Sequence, residues 1–265
     1  MRQSSQGWGR FWVGVPVLMA MCLAAQAAGS LVQVDTRPDV KTAVFWEPAD
    51  QPSATVLLFP GGAGGFGKVT GGRPEGGNFL VRSVPLFLAQ GFNVGIIGRP
   101  SDVNDLDLPQ RSASWHMQDI QAVLDYVKKQ SPLPIWLIGT SRGTVSVAAA
   151  GVKVHDPAIA GLVLTSSVTS GGKKAGSVLT QRLSDITLPV LVMHHARDAC
   201  SACSPTAAES IVADLSRAPF KKFVLVNNGA NPDGDTCGAF HWHGYIGMEA
   251  EAVQIMAQWM RQPTN

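Results

Sequence analysis

Three residue types in this 265-residue chain sit where nucleophilic chemistry needs them. Ser141 is at the centre of Gly139-Thr140-Ser141-Arg142-Gly143, between the apolar run Ile135 to Ile138 and a run of small and apolar residues that ends at Gly151. This G-x-S-x-G pattern suits a serine held on a sharp strand-to-helix turn. The backbone at the serine is strained, and a side chain two residues before or after it would collide with the neighbouring chain. The helix start beside the hydroxyl favours negative charge nearby. Asp198 follows the apolar run Val190 to Met193, and His243 follows the run Phe223 to Val226 and a loop. A serine, a carboxylate and an imidazole are the parts of an activated hydroxyl nucleophile. Asp156 and Asp185 are weaker choices for the acid, and His241 competes with His243. His194 and His195 end a strand and read as packing around the acid loop; His116 and His155 have no chemical claim.

These residues need a frame that brings them together. Leu31 to Val34 and Lys41 to Trp46 read as strands split by Arg37-Pro38-Asp39, and Thr55 to Phe59 as a buried strand stopped by Pro60. Asn78 to Gln90 reads as a helix ended by Gly91, Phe92 to Ile97 as a strand, and a long helix capped by Ser112 or Ser114 follows, striped by Ile120, Val123, Leu124 and Val127. Ile159 to Leu164, Val190 to Met193 and Phe223 to Val226 read as further strands, and about Pro205 to Arg217 and Tyr245 to Met260 as helices. Strand and helix alternate from residue 55 onward. The expected fold is therefore a single α/β domain over residues 28–265, a mostly parallel sheet of about eight strands with helices on both faces. Val168 to Asp185 is too short for a separate lid domain. In such a sheet reactive groups gather beyond the C-terminal strand ends, where Ser141, Asp198 and His243 all fall.

The order Ser, Asp, His, carried by GTSRG, PVLVMHHARD and FHWHGYIG, together with LLFPGGAGG after an early strand, resembles the α/β-hydrolase superfamily. Within it the resemblance is to cap-less exported serine esterases, lipases and dienelactone hydrolases, and it covers essentially all of the chain after residue 27. It implies Ser141 as nucleophile, His243 as general base and then acid, and Asp198 as the group that holds the imidazole tautomer. His-Gly-Tyr before an amphipathic helix is the family pattern, which favours His243 over His241. The N–H of Arg142 and that of Gly62 or Ala63 would form the oxyanion hole; the choice stays open because Pro60-Gly61 stands where the family often has His-Gly. Phe66, Trp115, Trp242 and Tyr245 are candidates for lining the substrate pocket. The implied activity is cleavage of carboxylic esters or related acyl bonds through an acyl-enzyme, with no metal or organic cofactor. The alternatives are a non-catalytic binding protein on the same scaffold, or a peptidase or acyltransferase of that fold.

Bulk properties fit a small acyl substrate. The net charge is +2, and Arg2 and Arg10 account for it, so the remainder of the chain balances to zero. No Lys/Arg block is left for nucleic acid or anionic lipid. Residues 1–27 read as a secretory signal peptide: Arg2 and Arg10, an uncharged run from Phe11 to Ala25, then Ala25-Gln26-Ala27 as the cleavage site. Met21 before Cys22 is a poor lipobox, and Arg10 stands alone, against a twin-arginine signal. The expected location is periplasmic or secreted. In that setting Cys200 or Cys203 is expected to bridge to Cys237, contributing roughly 3–4 kcal/mol from chain entropy. Cys200-Ser201-Ala202-Cys203 matches C-x-x-C but lacks a thioredoxin-like strand and helix around it, and three cysteines do not make a zinc site. Gly62 to Lys68 nearly spells a phosphate-binding loop, but Val69 replaces the Mg²⁺-binding hydroxyl and no helix can start in the glycines that follow.

Overall fold

A computed structural model describes residues 28–170 and 176–265, together with residues 1 and 3. The leader expected over residues 1–27 lies, apart from those two, outside the described residues. No described helix is long and apolar enough to cross a membrane.

Eight strands form one sheet. β1 (Ser30–Arg37) and β2 (Val40–Glu47) make an antiparallel hairpin around Asp39, whose φ of 58° fits the turn. β3 (Ala54–Phe59) follows, then a small hairpin of β4 (Val69–Thr70) and β5 (Arg73–Pro74) outside the main sheet. The segment expected as one helix is two, α1 (Phe79–Arg82) and α2 (Val84–Ala89). The break falls at Ser83 because Pro85 has no N–H to continue the ladder and disfavours helical backbone just ahead of it. β6 (Phe92–Pro100) leads to α3 (Ser114–Gln130). Neither Ser112 nor Ser114 caps α3: its N-cap is Ala113, with no side-chain hydrogen bond. β7 (Ile135–Thr140), α4 (Gly143–Lys153), β8 (Ile159–Thr165), β9 (Val190–His195), α5 (Pro205–Asp214), β10 (Lys221–Val226) and α6 (Glu249–Arg261) complete the order.

The sheet order is β1-β2-β6-β3-β7-β8-β9-β10, antiparallel only at the β1/β2 and β2/β6 pairs. Both sheet faces are covered, so the central strands are mostly apolar on both sides. Side chains alternate between two cores: Leu57 and Phe59 of β3 and Leu137 of β7 pack with α3, α4 and α5, while Val56, Leu58, Trp136 and Ile138 pack with α1, α2 and α6. The chain runs from β3 outward to β6, then returns to β7 on the other side of β3. The loops leaving β3 and β7 therefore diverge from adjacent strand ends. That reversal opens a crevice at the C-terminal edge.

Candidate active site

Ser141 sits in that crevice, one residue past β7 and two before α4, with φ at +52°. Such a conformation costs a non-glycine residue roughly 1–3 kcal/mol. The surroundings hold it there: its N–H donates to the Thr165 carbonyl at 3.1 Å, and its own carbonyl accepts from Thr144 N–H at 3.0 Å and Thr144 Oγ1 at 2.6 Å. The flanking glycines are needed for space. A Cβ at Gly143 would stand 2.0 Å from the Phe59 carbonyl oxygen, and one at Gly139 would stand 2.7 Å from the Gly143 oxygen.

The loop after β3 passes in front of the serine. Gly61 abuts the Ser141 side chain, and Gly62 takes φ +57°. Arg111 braces this loop from behind: fully buried, it donates to the carbonyls of Pro60 (3.3 Å), Gly62 (3.0 Å) and Leu106 (3.0 Å) and to Ser146 Oγ (3.3 Å). Burial pushes its guanidinium down to about 9. With the Gly62 carbonyl turned toward Arg111, the N–H of Ala63 in the same peptide points away from it, and the N–H groups of Gly62, Ala63 and Arg142 donate to no acceptor among the described residues. Gly62 borders the crevice, as Ser141 does.

Asp198 lies in the turn after β9. Its Oδ2 accepts from His243 Nδ1 at 2.9 Å, and its Oδ1 accepts the Cys200 N–H at 3.0 Å. Both the carboxylate and the imidazole are buried. With Nδ1 engaged, His243 Nε2 is the free ring nitrogen, and it has no partner among the described residues. Four attachments fix the imidazole loop. Tyr245, at φ +58°, donates its hydroxyl to the Met193 carbonyl (2.8 Å) and accepts from Ser166 N–H (3.2 Å). Ser166 Oγ donates to the His243 carbonyl at 2.8 Å. Trp242 stacks on the His195 ring at 4.9 Å and carries the Arg197 guanidinium 3.8 Å from its ring centroid. Arg82 donates to the carbonyls of Gly77 (2.8 Å) and Gly244 (2.6 Å) and pairs with Glu249 at 3.0 Å. A disulfide between Cys200 and Cys237 then ties the acid loop to the segment ahead of His243.

Ser141, His243, Gly62, Asn78, Phe79 and Cys237 share one open cleft of about 330 Å³. No protein-family model matches the chain, and no curated protein matches it. Solved structures do. An esterase from Pyrococcus furiosus, Pf2001, aligns over 89% of this chain and 93% of its own at 14% identity, with a TM-score of 0.62. A dienelactone hydrolase from Anabaena variabilis aligns over 91% and 100% at 14% identity and 0.61. An alpha-beta serine hydrolase homologue from Coxiella burnetii aligns over 86% and 96% at 14% identity and 0.60.

The chain has the α/β-hydrolase fold.

On this hydrolase scaffold the aromatic residues expected at the pocket lie elsewhere. Phe66 is buried against Phe45, and Trp115 packs under Arg37 at 4.8 Å at the start of α3. Trp242 and Tyr245 face the acid loop and the core, as described. The aromatic ring that borders the cleft is instead that of Phe79, beside glycine backbone and the polar side chains of Asn78 and Thr140. Aromatic identity signals burial, and it does not say on which side of a loop the ring will pack. Asp156 pairs with Lys128 (2.5 Å) and Asp185 with Arg182 (2.7 Å), away from the imidazole, and His241 packs edge-on to Trp242. The bridge uses Cys200 and leaves Cys203 a buried thiol close to Ser141, pushed up to about 12 by burial. The two cysteines of C-x-x-C are therefore not joined. Cys200, Cys203 and His243 do approach within 4.8 Å of one another, but one sulfur is consumed by the bridge. The glycine-rich segment after β3 enters the β4/β5 hairpin and starts no helix. Three residues that shape the site, Asn78, Arg82 and Arg111, carry no motif. Only Asn78, a capping residue type ahead of an apolar run, left a local trace.

Proposed function

We propose that the protein is a serine hydrolase that cleaves carboxylic esters, or closely related acyl bonds, through an acyl-enzyme on Ser141. The observation that carries this reading is the shared cleft, which is lined both by a serine at positive φ and by an imidazole whose other nitrogen is held by a buried carboxylate. In the first step Ser141 Oγ attacks the acyl carbon and its proton passes to His243 Nε2. The negative charge on the acyl oxygen falls to the N–H groups of Arg142 and Gly62, with Ala63 as the alternative donor. Collapse of the tetrahedral species breaks the bond to the alcohol, which leaves with the proton from His243. Water then attacks the acyl-serine by the same route, giving the acid and free serine. Asp198 keeps the proton of neutral His243 on Nδ1 and stabilises the imidazolium.

The neutral charge balance after residue 27 supports a small acyl substrate over a polyanion. The leader pattern and the disulfide support a periplasmic or secreted location. The test is fluorophosphonate labelling and hydrolysis of p-nitrophenyl acetate by the wild type and by Ser141→Ala. Labelling and turnover by the wild type alone are expected. A wild type that neither labels nor turns over a series of acyl esters would leave a binding scaffold.

A further inference from the structure

We propose that Asn78 is a further catalytic residue, donating a side-chain amide hydrogen bond to the acyl oxygen as it becomes negatively charged; this rests on the serine hydrolase reading above. Asn78 precedes α1, and its Oδ1 accepts the Leu80 N–H at 3.1 Å. That bond decides which way the amide faces. A flipped amide would set N–H₂ against N–H, donor against donor, so Nδ2 is the end turned away from the helix. Nδ2 donates to no acceptor among the described residues, and Asn78 borders the cleft that holds Ser141, His243 and Gly62.

Its position within the cleft is specific. A side-chain carbon on Gly61 would lie 3.5 Å from Asn78 Nδ2 and 2.8 Å from Ser141 Cβ. The amide, the nucleophile and the loop that carries Gly62 thus border one small space, and Gly61 leaves it open. The donor is also held before any substrate arrives. Arg82 takes the Gly77 carbonyl on one side, the Asn78 carbonyl accepts Arg82 N–H at 3.0 Å, and Phe79 is buried against Tyr245 with ring centroids 4.7 Å apart. A fixed neutral donor beside a developing oxyanion needs no rearrangement when the charge appears, which is the condition for stabilising a transition state over a ground state.

The cap and the proposed catalytic role separate cleanly by substitution. Asn78→Asp and Asn78→Ser both keep an acceptor for Leu80 N–H, and Asn78→Gly introduces a residue that N-cap positions tolerate. None keeps the amide donor. We expect kcat on p-nitrophenyl acetate to fall on the order of 10²-fold in Asn78→Asp and Asn78→Gly, with KM little changed, thermal unfolding close to wild type and slower fluorophosphonate labelling. Wild-type kcat in Asn78→Gly overturns the proposal, even if Asn78→Asp is slow, since the added carboxylate alone would then account for that loss; Asn78→Ser, whose hydroxyl can also donate, serves only to check that the cap is kept. A rise in KM at constant kcat also overturns it, by making Asn78 a ground-state contact. Failure of the wild type to label at all refutes the serine hydrolase reading instead, and is read first.

Discussion

Ser141 and His243 meet in one cleft but are held there by different physics. Around Ser141 the chain is regular on both sides: β7 enters, α4 leaves, and two glycines let the strands and helix close to backbone contact. The serine has nowhere else to go. His243 hangs at the end of a long exposed stretch after β10, in a single 3-10 turn (Trp242–Gly244) and not in a long helix or a strand. Side chains from distant segments fix it: Asp198, Tyr245, Arg82, the Arg197–Trp242–His195 stack and the Cys200–Cys237 bridge. Backbone geometry places the proposed nucleophile, and a set of long-range clamps places the proposed base.

The largest test of this contrast removes the innermost clamp. Asp198→Asn leaves the shape of the site but lets His243 take the wrong tautomer. We expect kcat on p-nitrophenyl acetate to fall by about 10⁴-fold with little change in thermal stability. A small loss would mean that the other clamps suffice. Next comes the covalent clamp. Replacing Cys200 and Cys237 together by serine opens a loop closed across 37 residues of sequence. Denaturant titration should show a loss of up to about 4 kcal/mol from chain entropy, accompanied by lower activity; unchanged activity would show that the bridge serves stability alone. On the other side, Gly143→Ala forces a methyl group onto the Phe59 carbonyl. We expect about 3 kcal/mol or more of destabilisation, read as a lowered melting temperature.

The last test is the pH dependence, and it reports on both regions. Burial lowers His116, against Ser146 of α4, to about 3 and His194, on the Asp198 side, to about 4. Both are neutral in the fold, whereas the unfolded chain takes up protons on them below about 6.5. Their contribution to stability is therefore complete above that value and is lost as the pH falls toward 4 and then 3. Melting temperature should decline across that window. His194→Gln, which keeps an acceptor for the Ser167 N–H now bound at 2.6 Å, should flatten the decline between 6.5 and 4.

The two regions also differed in how far the sequence revealed them. The strand-to-helix alternation, the mostly parallel sheet and the elbow were legible because period, β-branched runs and glycine spacing are local signals. Asp198 and His243 stood out through their order after successive strands, and a hydrogen bond joins the two. Local rules failed where a competing local feature won: Pro85 split the expected helix, and α3 starts behind Ala113 without a serine cap. The clamps were invisible for another reason. Arg82 and Arg111 act on carbonyls far away in sequence, a partnership that neither residue type nor spacing encodes. Phe66, Trp115, Trp242 and Tyr245 were recognisable as large apolar side chains, but which wall each would support depended on loops whose paths no pattern fixes.

The bridge and the Trp242 contacts fasten the approach to His243 at both ends, and the exposed tip from Asn231 to Asp235 meets that approach through backbone bonds, Asp233 N–H to the Phe240 carbonyl at 2.9 Å and Gly238 N–H to the Asp235 carbonyl at 2.7 Å. It is the part of the rim where length can change most cheaply. Lineages descended from this chain could remodel the mouth of the cleft there, by insertion or deletion, while the proton relay stays in register.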